Sequence, residues 1–317
     1  MSEVAVIGAG AWGTALALQC VRAGRAVTLW ARDPARAGAI AQTRRNPRLP
    51  NAVLPDSVRV TAELPQADVA LLAVPTAHLR HVAACVEAGV LVACCKGLDP
   101  ETHALPLEVL AELHPATPAC VLSGPNFAHE IAAGLPAAAV VAAADAGLRR
   151  RVIELVATDR FRLYGNDDPL GVQLCGAAKN VIAIAAGAVV GAGLGENARA
   201  ALITRGVAEL ARLTAALGGR AETAMGLSGL GDLTLTCTGA ASRNYSLGLA
   251  IGGGEHAAEV LSHRTTATEG AVAAPALVAR AGDLDLPICR AVDALLADRI
   301  TLAEAIAGLL ARPRRDE

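Results

Sequence analysis

The run Gly8-Ala9-Gly10-Ala11-Trp12-Gly13 constrains this chain more than any other stretch. It follows an apolar run, Val4 to Ile7, and opens a helical stretch, Thr14 to Ala23. An isolated G-x-G-x-x-G string says little, but between a strand and a helix it reads as a dinucleotide fingerprint. Gly8 permits the tight turn, Gly10 lets a pyrophosphate approach the backbone, and Gly13 lets the helix pack closely. The helix amino terminus adds free N–H groups and a favourable dipole. The competing reading is a glycine turn with a purely structural role.

Around that motif, short β-rich runs alternate with helical stretches, the pattern of a Rossmann-type, doubly wound parallel sheet. Strands are expected at Val4 to Ile7, Ala26 to Trp30, Val58 to Val60, Val69 to Val74, Val90 to Cys94, Ala119 to Leu122, Ala137 to Ala142 and Phe161 to Tyr164. Most are continuous apolar runs, as strands covered on both faces require. From Asp168 the texture changes to Ala/Leu-rich helical segments: Pro169 to Val190, Ala198 to Leu217, Ala271 to Ala281, Pro287 to Ala297, and a last one entered at Thr301 with Glu304 completing a capping box. A chain of 317 residues exceeds the range of one growing core. Two domains are expected, a dinucleotide-binding one over 1–167 and an all-helical, substrate-binding one over 168–317, joined directly by the long helix.

Composition removes several function classes. A net charge of −2, with basic residues scattered apart from the Arg312 to Arg315 tail, gives no drive toward nucleic acid or anionic lipid. The apolar run Val181 to Leu194 spans about 14 residues, short of the roughly 20 that a bilayer takes, and reads as a buried helix. With no basic region ahead of the apolar strand at Val4, no signal peptide is expected. The eight cysteines form no C-x-x-C pair and, with Cys94-Cys95 in an apolar run, read as reduced core residues of a cytoplasmic protein. The seven histidines fit no metal pattern, so no metal is expected; Ser123 lacks a nucleophile elbow, so hydrolysis is not supported.

The second strand ends at Leu29-Trp30-Ala31-Arg32-Asp33, where an NAD-selective site usually offers a carboxylate. Arg32 could instead pair with a 2′-phosphate, favouring NADP. Alternatively Arg32 is an exposed loop residue and Asp33 caps the next helix. The cofactor expected is therefore NADP or NAD.

Six further motifs follow in order: Cys95-Lys96-Gly97-Leu98, Leu122-Ser123-Gly124-Pro125-Asn126-Phe127-Ala128, Ala178-Lys179-Asn180-Val181, Gly229-Leu230-Gly231-Asp232-Leu233, Ser242-Arg243-Asn244 and Thr268-Glu269-Gly270. Together they resemble the bacterial NAD(P)-dependent glycerol-3-phosphate dehydrogenase family over nearly the whole chain. The resemblance implies interconversion of sn-glycerol 3-phosphate and dihydroxyacetone phosphate, supply of glycerol 3-phosphate for phospholipid synthesis, and a homodimer. By position, Lys179 corresponds to the proton acceptor, with Lys96 and Asp232 beside the reacting carbon. Gly124, Asn126, Ser242, Arg243 and Asn244 correspond to substrate contacts. Gly10, Ala11, Trp12, Arg32, Lys96, Ala128, Arg243 and Glu269 correspond to cofactor contacts. The chain departs from the family at Asn126, usually Ser or Thr, and at His129, usually Lys. In Asn46-Pro47-Arg48-Leu49-Pro50-Asn51 it lacks the family's Tyr before Leu-Pro and Gly after it.

The chemistry agrees with that assignment. Oxidising a secondary alcohol needs a base for the hydroxyl proton and a nicotinamide for the hydride. Burial and a neighbouring Lys96 would both favour the neutral amine of Lys179, whereas a close Asp232 would oppose this and is assigned to orienting the lysine or the substrate hydroxyl. A lysine within the apolar segment Gly176 to Gly187 is otherwise costly, unless it snorkels from a helix end. Arg243 offers a planar donor fork for phosphate and Asn244 neutral donors, while Ser242 is placed to cap the next helix. The rival readings are a two-domain reductase of a β-hydroxyacid or ketopantoate-like substrate, and a non-catalytic NAD(P)-binding regulator. Arg243-Asn244 argues against the first, and the set Lys96, Lys179 and Asp232 against the second.

Overall fold

Continuous apolar strands are stable only where helices cover both faces of their sheet, and the eight apolar runs arrange themselves accordingly. The computed structural model describes residues 3–264 and 268–311; the basic tail Arg312 to Arg315 lies outside them. The chain divides into two compact units, Met1–Asp99 with Ala104–Gln173, and Pro100–His103 with Leu174–Glu317.

In the first unit, β1 (Glu3–Ile7), β2 (Ala26–Trp30), β3 (Val58–Thr61), β4 (Val69–Leu72), β5 (Leu91–Ala93), β6 (Ala119–Ser123), β7 (Ala137–Ala142) and β8 (Phe161–Asn166) form one sheet. Its order is β3-β2-β1-β4-β5-β6-β7-β8. Each strand coincides with a run read as one. Central β4 is buried throughout, and β1 from Val4 on. The connecting helices are α1 (Ala11–Arg22), α2 (Pro34–Thr43), α3 (Thr76–Ala83), α4 (Pro106–Leu113), α5 (Ala128–Ala133) and α6 (Ala146–Val156). From β1 the chain moves one way to β2 and β3, then returns to β4 and moves the other way. Right-handed crossovers in opposite directions put helices on opposite faces, and α1 accordingly packs with α5 and α6 while α3 packs with α4.

The sheet is not wholly parallel. β6 and β7 pair antiparallel, with Leu122 opposite Val141. The short α5 lies against α1 and does not carry the chain over the sheet into a parallel strand. The composition of a strand fixes its burial, not its direction.

The described elements of the second unit are helices: α7 (Pro169–Gly191), whose first turn up to Gln173 still belongs to the first unit, α8 (Gly195–Ala216), α9 (Asp232–Cys237), α10 (Arg243–Gly252), α11 (Ala257–Ser262), α12 (Glu269–Ala281), α13 (Pro287–Leu296) and α14 (Leu302–Leu310). A 3-10 turn, Ala221–Met225, and a π turn, Leu227–Gly231, precede α9. The apolar run read as too short for a membrane belongs to the 23-residue α7, long and apolar enough by length and composition, yet mostly buried inside the protein. Lys179 lies inside this helix, as its place within Pro169 to Val190 implies, and is buried. Buried Glu209 on α8 accepts from Ile288 N at 2.6 Å and Cys289 N at 3.2 Å, capping α13, whose N-cap residue Leu286 has no side-chain acceptor. Seven cysteines are buried as read, and burial pushes Cys20, Cys120 and Cys237 up to about 12. Cys85 departs from that reading: it is exposed, in the turn just after α3.

Helices α7 and α10 meet through glycines four apart on each. A Cβ on Gly248 would stand 1.9 Å from Ile184 O, and one on Gly187 2.0 Å from Tyr245 O; Gly191 and Gly252 are equally closed. Gly308 on α14 faces open space. Gly248→Ala is therefore expected to destabilise by about 1–3 kcal/mol or more through overpacking, whereas Gly308→Ala gains about 0.4–1 kcal/mol. Denaturant midpoints of the two variants check the opposite signs.

Candidate active site

Each unit carries part of the expected machinery. In the first, the loop after β1 sits where the strand order reverses, the usual place for a ligand in an open α/β sheet. Gly8 has φ +117°, and a Cβ there would lie 2.9 Å from Ala73 O. A Cβ on Gly13 would lie 1.9 Å from Gly8 O, so only glycine lets α1 start this close to the strand. Gly10 differs: a Cβ there meets nothing within 4 Å. The open side of the loop is thus at Gly10, at the amino terminus of α1, where Ala11 and Trp12 begin the helix and no side chain caps it. That cradle suits a pyrophosphate.

The loop is braced from behind. Asn46 is buried, and its Nδ2 donates to Ala9 O at 3.0 Å and Thr14 Oγ1 at 2.6 Å. Arg36 donates to Ala9 O and, at 3.1 Å, to Asn46 Oδ1. At the end of β2, Trp30 is a buried side chain whose Nε1 donates to Ala62 O at 2.9 Å. Asp33 Oδ1 accepts from Ala35 N at 3.0 Å and caps α2, leaving exposed Arg32 as the charged group that follows the strand.

A second polar locus follows β6. Lys96 Nζ donates to Gly124 O at 2.8 Å, and Gly124 adopts φ +140° with Ala139 Cα 2.9 Å from where a Cβ would be. Ser123 Oγ and both amide atoms of Asn126 are buried without a hydrogen-bond partner among the described residues. Buried polar atoms left unsatisfied are costly, and their grouping beside Gly124 marks a place prepared for polar ligand atoms. Ala128 starts α5, and His129 stacks on Phe127 at 5.6 Å with its ring largely exposed.

In the second unit Lys179 and Asp232, 53 residues apart, form a buried ion pair, Nζ to Oδ1 2.8 Å. Lys179 is 7% exposed and Asp232 1%. Thr236 Oγ1 accepts from Lys179 Nζ at 2.8 Å and donates to Asp232 O at 2.5 Å. The ammonium is fixed by the first turn of α9 and cannot snorkel. Asn244 is buried, and its amide is engaged internally: Nδ2 donates to Asn180 Oδ1 at 2.8 Å and Oδ1 accepts from Gly270 N at 2.9 Å, tying α7, α10 and α12 together. Ser242 Oγ accepts from Tyr245 N at 3.2 Å and caps α10, with Arg243 exposed at the first position. Burial pushes the Glu269 carboxyl up to about 7, with nearby Arg243 pulling it down. Among the described residues no group of His, Cys, Asp or Glu is placed to hold a metal ion.

Models of the NAD-dependent glycerol-3-phosphate dehydrogenase N-terminus and C-terminus match residues 3–148 and 168–307. The chain belongs to the NAD(P)-dependent glycerol-3-phosphate dehydrogenase family. It is 58% identical to the glycerol-3-phosphate dehydrogenase (NAD(P)+) of Acidiphilium cryptum over 99% of this chain and 98% of that one, and 53% identical to that of Gluconobacter oxydans over 98% and 97%. The crystal structure of the Coxiella burnetii glycerol-3-phosphate dehydrogenase superposes with a TM-score of 0.93 at 37% identity, covering 98% of this chain and 99% of that one.

Within this family member, the expected residues group by unit: Gly8, Gly10, Ala11, Trp12, Gly13, Arg32, Lys96, Gly124, Asn126 and Ala128 in the first, Lys179, Asp232, Ser242, Arg243, Asn244 and Glu269 in the second. Sequence reasoning missed Thr236, Asn180, Asn46 and Arg36. Asn180 and Asn46 lay inside quoted motifs, and their hydrogen-bonding capacity was the available signal. Thr236 and Arg36 carried none.

The glycine geometry separates binding from folding. Gly10→Ala is expected to weaken NAD(P)H affinity about tenfold or more while leaving the melting temperature near wild type, because its methyl group occupies the space over the helix amino terminus. Gly13→Ala should lower the melting temperature itself. Fluorescence titration and thermal melts of both variants check this.

Proposed function

We propose that the protein interconverts sn-glycerol 3-phosphate and dihydroxyacetone phosphate with NAD(P), supplying glycerol 3-phosphate for phospholipid synthesis in the cytoplasm. The observation that carries this reading is the Lys179 ammonium held inside the protein by Asp232 and Thr236, in a chain of this family. When bound, the dinucleotide supplies or accepts the hydride at the carbon.

The remaining work falls to side chains. In the reductive direction Lys179 Nζ gives a proton to the carbonyl oxygen as negative charge grows there; in the oxidative direction the amine takes the hydroxyl proton back. Asp232 stabilises the ammonium and aims it, the orienting role assigned to it from the sequence. Lys96 and the Gly124–Asn126 loop offer polar atoms to the substrate, and Arg243, at the capped start of α10, takes its phosphate. Asn244 acts by holding the helix starts, its amide being engaged there. Arg32, with no carboxylate free at the end of β2, lets the site accept the 2′-phosphate of NADP. The buried, unbridged thiols agree with a reducing compartment.

Spectrophotometric assay of the purified protein with dihydroxyacetone phosphate, comparing NADH and NADPH, tests the reading. Lys179→Ala is expected to lower turnover by about 100-fold to 10,000-fold, the range of a lost general acid, with NADPH binding retained. Wild-type turnover in that variant would remove Lys179 from the chemistry.

A further inference from the structure

Two arginines gather at the start of α10. Arg243 opens the helix, and Arg264, two residues after the last of α11, reaches back to it. Arg264 Nη1 donates to Arg243 O at 2.6 Å and to Thr268 Oγ1 at 3.3 Å, while Nη2 donates to Ser246 Oγ at 3.1 Å. Ser246 Oγ in turn donates to Arg243 O at 3.1 Å. Thr268 is the residue from which α12 starts, immediately before Glu269. One planar guanidinium therefore ties the first turn of α10 to the start of α12, a span that its fixed donor fork suits.

That placement is electrostatically unfavourable in isolation. The start of a helix already carries partial positive charge. Burial, and then the neighbouring Arg243, lower the proton affinity of Arg264. Glu269, which interacts with Arg243, is pushed up to about 7 by burial and offers only partial counter-charge at neutral pH. Two guanidinium groups at a helix start with so little compensation are suited to a bound dianion.

We propose that Arg264 is a positioning residue for phosphate recognition: it fixes the backbone of Arg243 so that the Arg243 guanidinium meets the phosphate dianion of the substrate. The proposal rests on the reading of Arg243 given above. Arg264 touches backbone and hydroxyl groups and acts on the phosphate through its neighbour.

The test uses the full-length protein with Arg264→Met, Arg264→Lys, Arg243→Ala and the Arg243→Ala/Arg264→Met double variant. It measures kcat and KM for dihydroxyacetone phosphate, the Ki of inorganic phosphate as a competitor, and the Kd of NADPH. Arg264→Met is expected to raise KM and Ki in step by about tenfold, with kcat within about twofold of wild type, as loss of charge-assisted hydrogen bonds implies. Arg264→Lys recovers part of the loss, since an ammonium cannot reproduce the planar fork. The double variant should be no worse than Arg243→Ala, because the two residues act in series. Unchanged KM and Ki in Arg264→Met, beside raised values in Arg243→Ala, overturn the proposal and leave the reading of Arg243 intact. Unchanged values in Arg243→Ala remove that reading instead. A loss confined to NADPH binding also overturns the proposal. Should Arg264→Met fail to fold, Arg264→Lys decides: an intermediate KM supports the proposal, and wild-type KM and Ki reject it.

Discussion

A charged amine inside an apolar helix is the constraint around which the second unit is organised. Lys179 sits in α7 among Ala, Val and Ile, and Asp232 and Thr236 make its charge tolerable there. Breaking one half of such a buried pair typically costs about 3–5 kcal/mol, whereas a well-packed apolar replacement of both is often neutral or stabilising. A pair of this kind is therefore weak evidence for stability and better evidence for chemistry. The backbone around it is shaped to the same end. Asp232 enters α9 directly from a π turn, a geometry frequent at functional sites. Within that turn, a Cβ on Gly229 would stand 2.1 Å from Ala224 O.

Glycine serves two opposite purposes in this protein. At Gly8, Gly13, Gly187 and Gly248 it lets backbones approach where any side chain would collide, and the result is packing. At Gly10 it leaves open space at a helix amino terminus, and the result is room for a ligand. The fingerprint therefore contains both kinds, which is why its spacing is informative only between a strand and a helix. Asn46 and Arg36 then hold the carbonyl of Ala9, so the loop is fixed before any ligand arrives.

Most strands were legible because they are nearly uninterrupted apolar runs that carry burial on both faces directly, while the edge strands β3 and β8 keep Arg59 and Arg162 exposed. Three helices were legible from their start signals, Pro169, Pro287 and Thr301. Strand direction was not, since β7 would read the same in either orientation. The extent of α7 was legible almost to its last residue, but the group that meets the Lys179 charge inside it lies 53 residues away, where no local pattern points. Similar non-local pairing explains the rest. Thr236 and Arg36 gain their roles only from what they touch, and Asn244, read as a phosphate donor, also holds Asn180 and Gly270 through one Nδ2 hydrogen and its Oδ1. Cys85 resembles the other cysteines in its local composition, yet lies on the surface. The Lys179 and Asp232 motifs were recognisable separately, and the geometry supplied their contact.

On the function proposed for this site, the carboxylate of Asp232 keeps the Lys179 head group charged and aimed for proton delivery. The most direct test is the rate of dihydroxyacetone phosphate reduction by Asp232→Asn, which preserves shape and removes the counter-charge. A buried amine without that partner favours its neutral form and has no proton to give. The rate should fall about 100-fold or more with NADPH affinity and fold retained. A folded Asp232→Asn protein reducing the substrate at the wild-type rate would contradict the claim.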